Sequence, residues 1–113
     1  MRFLLRSKIH KAHVTEANLN YIDSVTIDEN LIDRAGFLIG EKVMVVSSTT
    51  GERLETYVIA GSRDSGKICM NGAAAHKIKI GEEVIIMGFE LADEEITLTN
   101  ILVDRQNKFS RIL

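Results

Sequence analysis

Proline and tryptophan are absent from this chain, and cysteine occurs once. Without proline, the turns must rest on Gly, Asn, Asp and Ser. The single cysteine, Cys69, excludes an intrachain disulfide and points to a reducing, cytoplasmic setting. Aromatic residues make up only 5%, so Val, Ile, Leu and Ala have to fill any core. No apolar run approaches the roughly 20 residues of a membrane-spanning helix. The N-terminus MRFLLRSKIHK is charged too early for a secretory signal. A net charge of −2, with no Lys/Arg block, leaves no basic field to attract nucleic acid or an anionic membrane. What is present is 113 residues, 45% of them hydrophobic, which suits a single domain over residues 1–113.

The periodicity is mostly strand-like. KVMVVSS (42–48) and RLETYVIA flank TTG and predict a hairpin. KICM (67–70), EVIIMGF (83–89) and TLTNILVD (97–104) predict further strands, with RQNK as the turn after the last. ENLIDRA predicts one helix, capped by Asp28, ended at Gly36, with Leu31 and Ile32 inward. NGAAAHK (71–77) predicts a second short helical turn. IGEKVMVV (39–46) repeats as IGEEVIIM (80–87), each copy following a helical or Ala-rich segment. Two similar halves in a small β-rich chain imply a pseudo-symmetric barrel, whose closure would remove exposed edges. The C-terminal segment is the most polar part and is expected to be partly mobile.

Few residues offer chemistry. Ser24, in NYIDSVTIDE, stands at a strand start, as a turn or cap residue or as a presented nucleophile. No G-x-S-x-G elbow accompanies it, which argues against a serine triad. His10 and His13, three apart, are expected on opposite faces of a strand, and Cys69 lacks a ligand at metal spacing, so no metal site is expected. Alternation places Arg53, Glu55 and Tyr57 on one face and Leu54, Thr56 and Val58 on the other. The first set reads as a cationic pocket with a phenol donor, or as a solvated barrel face. Lys8 interrupts an apolar N-terminal strand. Asn71-Gly72-Ala73-Ala74 forms a small-residue corner, where backbone can approach a ligand or where Asn71 caps a helix.

SKIHKAHVTEANLNYIDSVTIDENLID, GERLETYVIAG and ICMNGAAAHKIKIGEEVII, in this order and spacing, resemble bacterial aspartate 1-decarboxylases. The resemblance runs over about residues 3 to 104 and rests on three separated motifs. It implies a double-psi β-barrel, mainly β with short helices. It implies a proenzyme that cuts its own backbone before Ser24 and turns that residue into a pyruvoyl group, the sole cofactor. The ketone would form a Schiff base with the amine of L-aspartate and accept the electrons left when CO2 departs, the part a pyridoxal cofactor plays elsewhere. The product, β-alanine, would feed pantothenate and coenzyme A synthesis. A homotetramer with active sites at subunit interfaces is also implied.

By position, the resemblance makes Tyr57 the proton donor. Thr56 contacts substrate and assists cleavage, and Gly72, Ala73 and Ala74 supply substrate-binding backbone. Lys8 and Arg53 hold the substrate carboxylates, Arg53 being suited to bidentate contact. His10, Tyr21 and Asn71 line the site. One departure stands at the cut itself: the family carries Gly before the serine, and this chain carries Asp23. A side chain and a negative charge beside a developing oxyanion should slow the acyl shift. Asp23 therefore leaves open an unprocessed proenzyme or a catalytically inactive member.

Overall fold

The computed structural model describes residues 1–113. It contains β1 (Arg2–His13), β2 (Glu16–Asn18), β3 (Ser24–Asp28), α1 (Glu29–Ala35), β4 (Lys42–Ser47), β5 (Arg53–Gly61), β6 (Ile68–Asn71), α2 (Ala74–Lys77), β7 (Glu83–Ala92), β8 (Thr99–Val103) and β9 (Phe109–Ile112). The strands join in the order β2-β6-β3-β5-β4-β7-β1-β8-β9. No helix is long and apolar enough to cross a membrane.

The internal repeat has a structural counterpart. β3, α1 and β4 form one unit, and β6, α2 and β7 the other. β3 pairs antiparallel with β6, and β4 pairs antiparallel with β7. The repeated glycines hold matching left-handed conformations, with φ 85 at Gly40 and 87 at Gly81, at the entries to β4 and β7. This pseudo-symmetric pairing accords with the double-psi β-barrel expected from the sequence. The expected removal of edges does not follow, because the hydrogen-bonded ladder ends on β2 and β9. Both edge strands are short, three and four residues, which itself limits edge-to-edge association.

The core is aliphatic, as the scarcity of aromatics requires. Val25 and Ile27 of β3, Val58 of β5, Ile68 and Met70 of β6 and Ile86 of β7 are all fully buried. Phe37 is the one aromatic among the 21 buried core residues. α1 forms where the sequence predicts it, with Leu31 and Ile32 buried and Gly36 at its left-handed C-cap. The expected hairpin is β4–β5, which pairs antiparallel from Lys42↔Tyr57 to Val46↔Arg53.

Two expectations fail. The C-terminal segment is not loose: β8 pairs with β1 and β9 with β8, and Arg34 sits 4.0 Å over the Phe109 ring. The polar residues of that segment are turn and surface positions between two apolar strands. His10 and His13 do not lie on opposite faces of β1. Lys11 has φ 65, and the β1–β7 register shifts between Ile9 and Ala12. This bulge resets the alternation, so Ile9 and Ala12 both point into the core and both histidines are half-buried beside them.

Asp28 ties the first unit to the β5–β6 loop. Its carboxylate accepts from Asn30 N, the α1 cap, and from Asp64 N and Gly66 N in the β5–β6 loop, at 2.8–2.9 Å. Asp28→Ala would strand three backbone donors, at a cost of about 2–3 kcal/mol. The expected result is a lower urea midpoint with an unchanged slope; an unmoved midpoint would contradict the role.

Candidate active site

Ser24 is the first residue of β3 and is fully buried. Its hydroxyl donates to Ile22 O at 2.9 Å and accepts from Asn71 Nδ2 at 3.0 Å. Asn71 lies directly opposite Ser24 in the β3–β6 ladder, so the register fixes this contact. The same amide nitrogen donates its second hydrogen to Thr26 Oγ1 at 2.9 Å. The Cys69 thiol approaches Asn71 Oδ1 at 3.1 Å and orients the amide from its other end. Burial, then the charge of Glu16, pushes the Cys69 thiol up, so it stays a protonated donor. The expected Asn71 helix cap is therefore absent: its side chain belongs to the serine, and α2 has no side-chain cap from Ala73.

The residue before the serine is bound as firmly. Asp23 Oδ1 accepts from Ala74 N at 3.0 Å, and Asp23 Oδ2 accepts from the Thr56 hydroxyl at 3.1 Å. Gly72 has φ 64, and a Cβ there would lie 2.7–2.9 Å from Tyr21 O, Asp23 N and Asp23 Cα. Only glycine allows this approach of the β6–α2 corner to the backbone of Tyr21 and Asp23, just ahead of Ser24. Asp23 itself is not among the residues of positive φ, so an L side chain at this position meets no left-handed strain.

β3 runs parallel to β5 with Val25 beside Val58. One step earlier this register sets Ser24 beside Tyr57, and the Asp23–Thr56 bond sits one step before that. Alternation along β5 is as expected: Thr56 and Val58 are buried, Arg53 and Glu55 exposed and Tyr57 half-buried. An open cleft of about 310 Å³, lined by Tyr21, Thr26, Lys67, Cys69 and Asn71 among others, adjoins the cluster.

Ser24, Asp23, Asn71, Thr56, Tyr57, Gly72 and Ala74 thus come together within one chain, with Tyr21 and Ala73 at the edge. Lys8, His10 and Arg53 do not join them. Lys8 and His10 lie on β1, beside Asn100 and Leu102 of β8, and β5, β4 and β7 intervene in the ladder. Arg53 is exposed at the start of β5, about 13 Å along the strand from Tyr57. Sequence reasoning missed Thr26 and Cys69. Both were within reach of the period-2 rule, since Thr26 shares a face with Ser24 and Cys69 with Asn71.

A family model described as aspartate decarboxylase matches residues 1–110. An aspartate 1-decarboxylase of Caldicellulosiruptor saccharolyticus is 52% identical over 113 residues, 96% of this chain and 88% of that protein. The aspartate 1-decarboxylase of Bacteroides fragilis is 59% identical over 92 residues, 81% of this chain and 79% of its own. That of Exiguobacterium sibiricum is 48% identical and matches 100% of this chain and 92% of its own. Among solved structures, the computationally designed msDPBB_sym2 protein is similar at a TM-score of 0.49 and 21% identity, covering 77% of this chain and 99% of that one.

Two measurements check the environments described. Cys69, buried and protonated, should resist a disulfide reagent at pH 8 in the native chain and react fully in urea; rapid native labelling would contradict its position. His10 is held below its ordinary 6.5, first by burial and then by Lys8 and Lys11. The unfolded chain thus takes up the proton more readily, so this contribution to stability is lost as pH falls below 6.5. A ring-proton NMR titration of His10 should show a midpoint under 6.5, and one above it would refute the shift.

Proposed function

The chain belongs to the aspartate decarboxylase family, and from that membership and the Ser24 cluster we propose that it decarboxylates L-aspartate to β-alanine and CO2. The observation that carries the reading is the buried Asn71–Ser24 hydrogen bond beside the close-packed Gly72, a preparation no ordinary turn serine needs. Ser24 Oγ attacks the Asp23 carbonyl carbon, and the acyl group passes from nitrogen to oxygen. Loss of the Ser24 Cα proton breaks the ester Cβ–O bond and frees the Asp23 carboxylate. One water then replaces the nitrogen, ammonia leaves, and residue 24 is a pyruvoyl group at the new terminus. Asn71 holds the attacking oxygen, Gly72 packs against the backbone of Tyr21 and Asp23, and the Thr56 hydroxyl fixes Asp23. The residues present fit this conversion: the serine is buried with its oxygen oriented, and the Asp23 side chain is held on both of its oxygens.

The pyruvoyl group supplies the electron sink for the carbanion left by CO2. Around it, the chain's own residues bind and protonate. The backbone of Gly72, Ala73 and Ala74, with Thr56, receives the substrate. Tyr57 is the proton donor that replaces CO2, a role supported by the β3–β5 register, which continued one step back from Val25↔Val58 sets Tyr57 next to residue 24. Lys8 and Arg53 neutralise the retained carboxylate, while the departing one sits among neutral groups, since an ion pair there would stabilise the ground state. His10, Tyr21 and Asn71 shape the surroundings.

Lys8 and Arg53 lie outside the cluster of their own chain, which supports sites completed between copies of a homotetramer. Phe3 (73% exposed) and Leu91 (48%) are register partners, and Phe89 (38%) follows on the same ladder, a sizeable apolar surface for a free subunit. The reading includes a cytoplasmic enzyme that supplies β-alanine to pantothenate and coenzyme A synthesis. The alternative, an uncut or inactive member, rests on Asp23.

Purified protein given labelled L-aspartate should yield labelled β-alanine and CO2, and Ser24→Ala should yield neither. Tyr57→Phe should still cut at residue 24 but turn over at least about 100-fold more slowly. β-Alanine made by an intact Ser24→Ala chain would overturn the proposal.

A further inference from the structure

We infer that Asp23 is a built-in competitor for the substrate's carboxylate site, an inference that rests on the aspartate reading above. Thr56 Oγ1 and Ala74 N converge on the two oxygens of one carboxylate, at 3.1 and 3.0 Å. Both donors belong to buried residues, Thr56 6% and Ala74 3% exposed. No other side chain caps Ala74 N, which opens α2 behind an uncapped Ala73. An amide hydrogen and a hydroxyl, both poorly hydrated, require an acceptor, and a carboxylate satisfies both at once. The uncut chain therefore shows what this corner takes, and it takes it one residue from Ser24.

The cut makes the resemblance to substrate closer. Cleavage leaves Asp23 at the end of residues 1–23 with its side-chain carboxylate and a new terminal one, the two acids of aspartate on an acylated nitrogen. That fragment does not leave, because it carries β1 and β2, which pair with β7, β8 and β6. A ligand tethered by a few residues has an effective concentration on the order of millimolar. Free aspartate must displace it, so the apparent affinity for substrate is set partly by residue 23. A glycine there offers no side-chain carboxylate and no such competition.

The test uses the uncleavable Ser24→Ala chain, in which L-aspartate can bind without reacting, and reads binding by calorimetry. Replacing Asp23 by Ala in that background should tighten L-aspartate binding about tenfold, and D23N should fall between. Thermal unfolding shows that each variant is folded, and D23N carries the comparison if Asp23→Ala is not. Equal affinity in the folded variants, including no binding by any, overturns the inference. If wild-type chain makes β-alanine while the affinities are equal, only the competition fails. An affinity difference with no β-alanine leaves the carboxylate site standing and removes the decarboxylase reading.

Discussion

The Asn71 side-chain amide donates both of its hydrogens, to Ser24 Oγ and to Thr26 Oγ1, at a place where water cannot replace either. Ser24, Thr26 and Asn71 are all buried polar residues, and each would be costly to leave unpaired. The amide satisfies them together, and the Cys69 thiol fixes which end of the amide faces the hydroxyls. The contact also joins the two halves of the repeat, because it lies across the β3–β6 ladder. A shift of that register by one residue would turn Ser24 away from Asn71 and send the apolar side chains of β3 to the other face. The same pairing that builds the core therefore aims the serine.

The corner after Asn71 completes the arrangement. Gly72 is left-handed and lies against the backbone of residues 21 and 23, and Ala74 turns its N–H toward Asp23. Strand β5 closes the other side through Thr56 and Tyr57. Three strands and one short helix thus contribute a single polar group or two each, held by ladder registers and not by long flexible side chains. Preorganisation of this kind suits a reaction that begins with the chain attacking itself, since the nucleophile and the carbonyl are neighbours and only their orientation is left to arrange.

Much of this was legible in the sequence, for physical reasons. β-Branched runs and turn glycines located β4, β5 and β7, and the Ile-Gly-Glu repeat exposed the pairing of the halves. The face assignments of Thr56 and Tyr57 followed from period 2 alone. What escaped was whatever local rules do not determine. The bulge at Lys11 has no glycine or proline to announce it, so His10 and His13 were assigned to the wrong faces. The C-terminal segment looked loose because its apolar residues fall in two short runs separated by a polar turn. The fate of Asp23 was not legible either: its partners, Thr56 and Ala74, are 33 and 51 residues away in sequence. From the chain alone, Asp23 was a charge beside the reacting bond; in the structure it is a bound group whose two oxygens are already occupied.

The proposed function requires that this chain, with Asp23 before Ser24, cut itself and make its own ketone. The most direct measurement is the intact mass of purified protein under denaturing conditions. Two species are expected, residues 1–23 and residues 24–113, with the larger lighter by one ammonia than a serine terminus would make it. A single species near 12.6 kDa, unchanged after prolonged incubation, would contradict it.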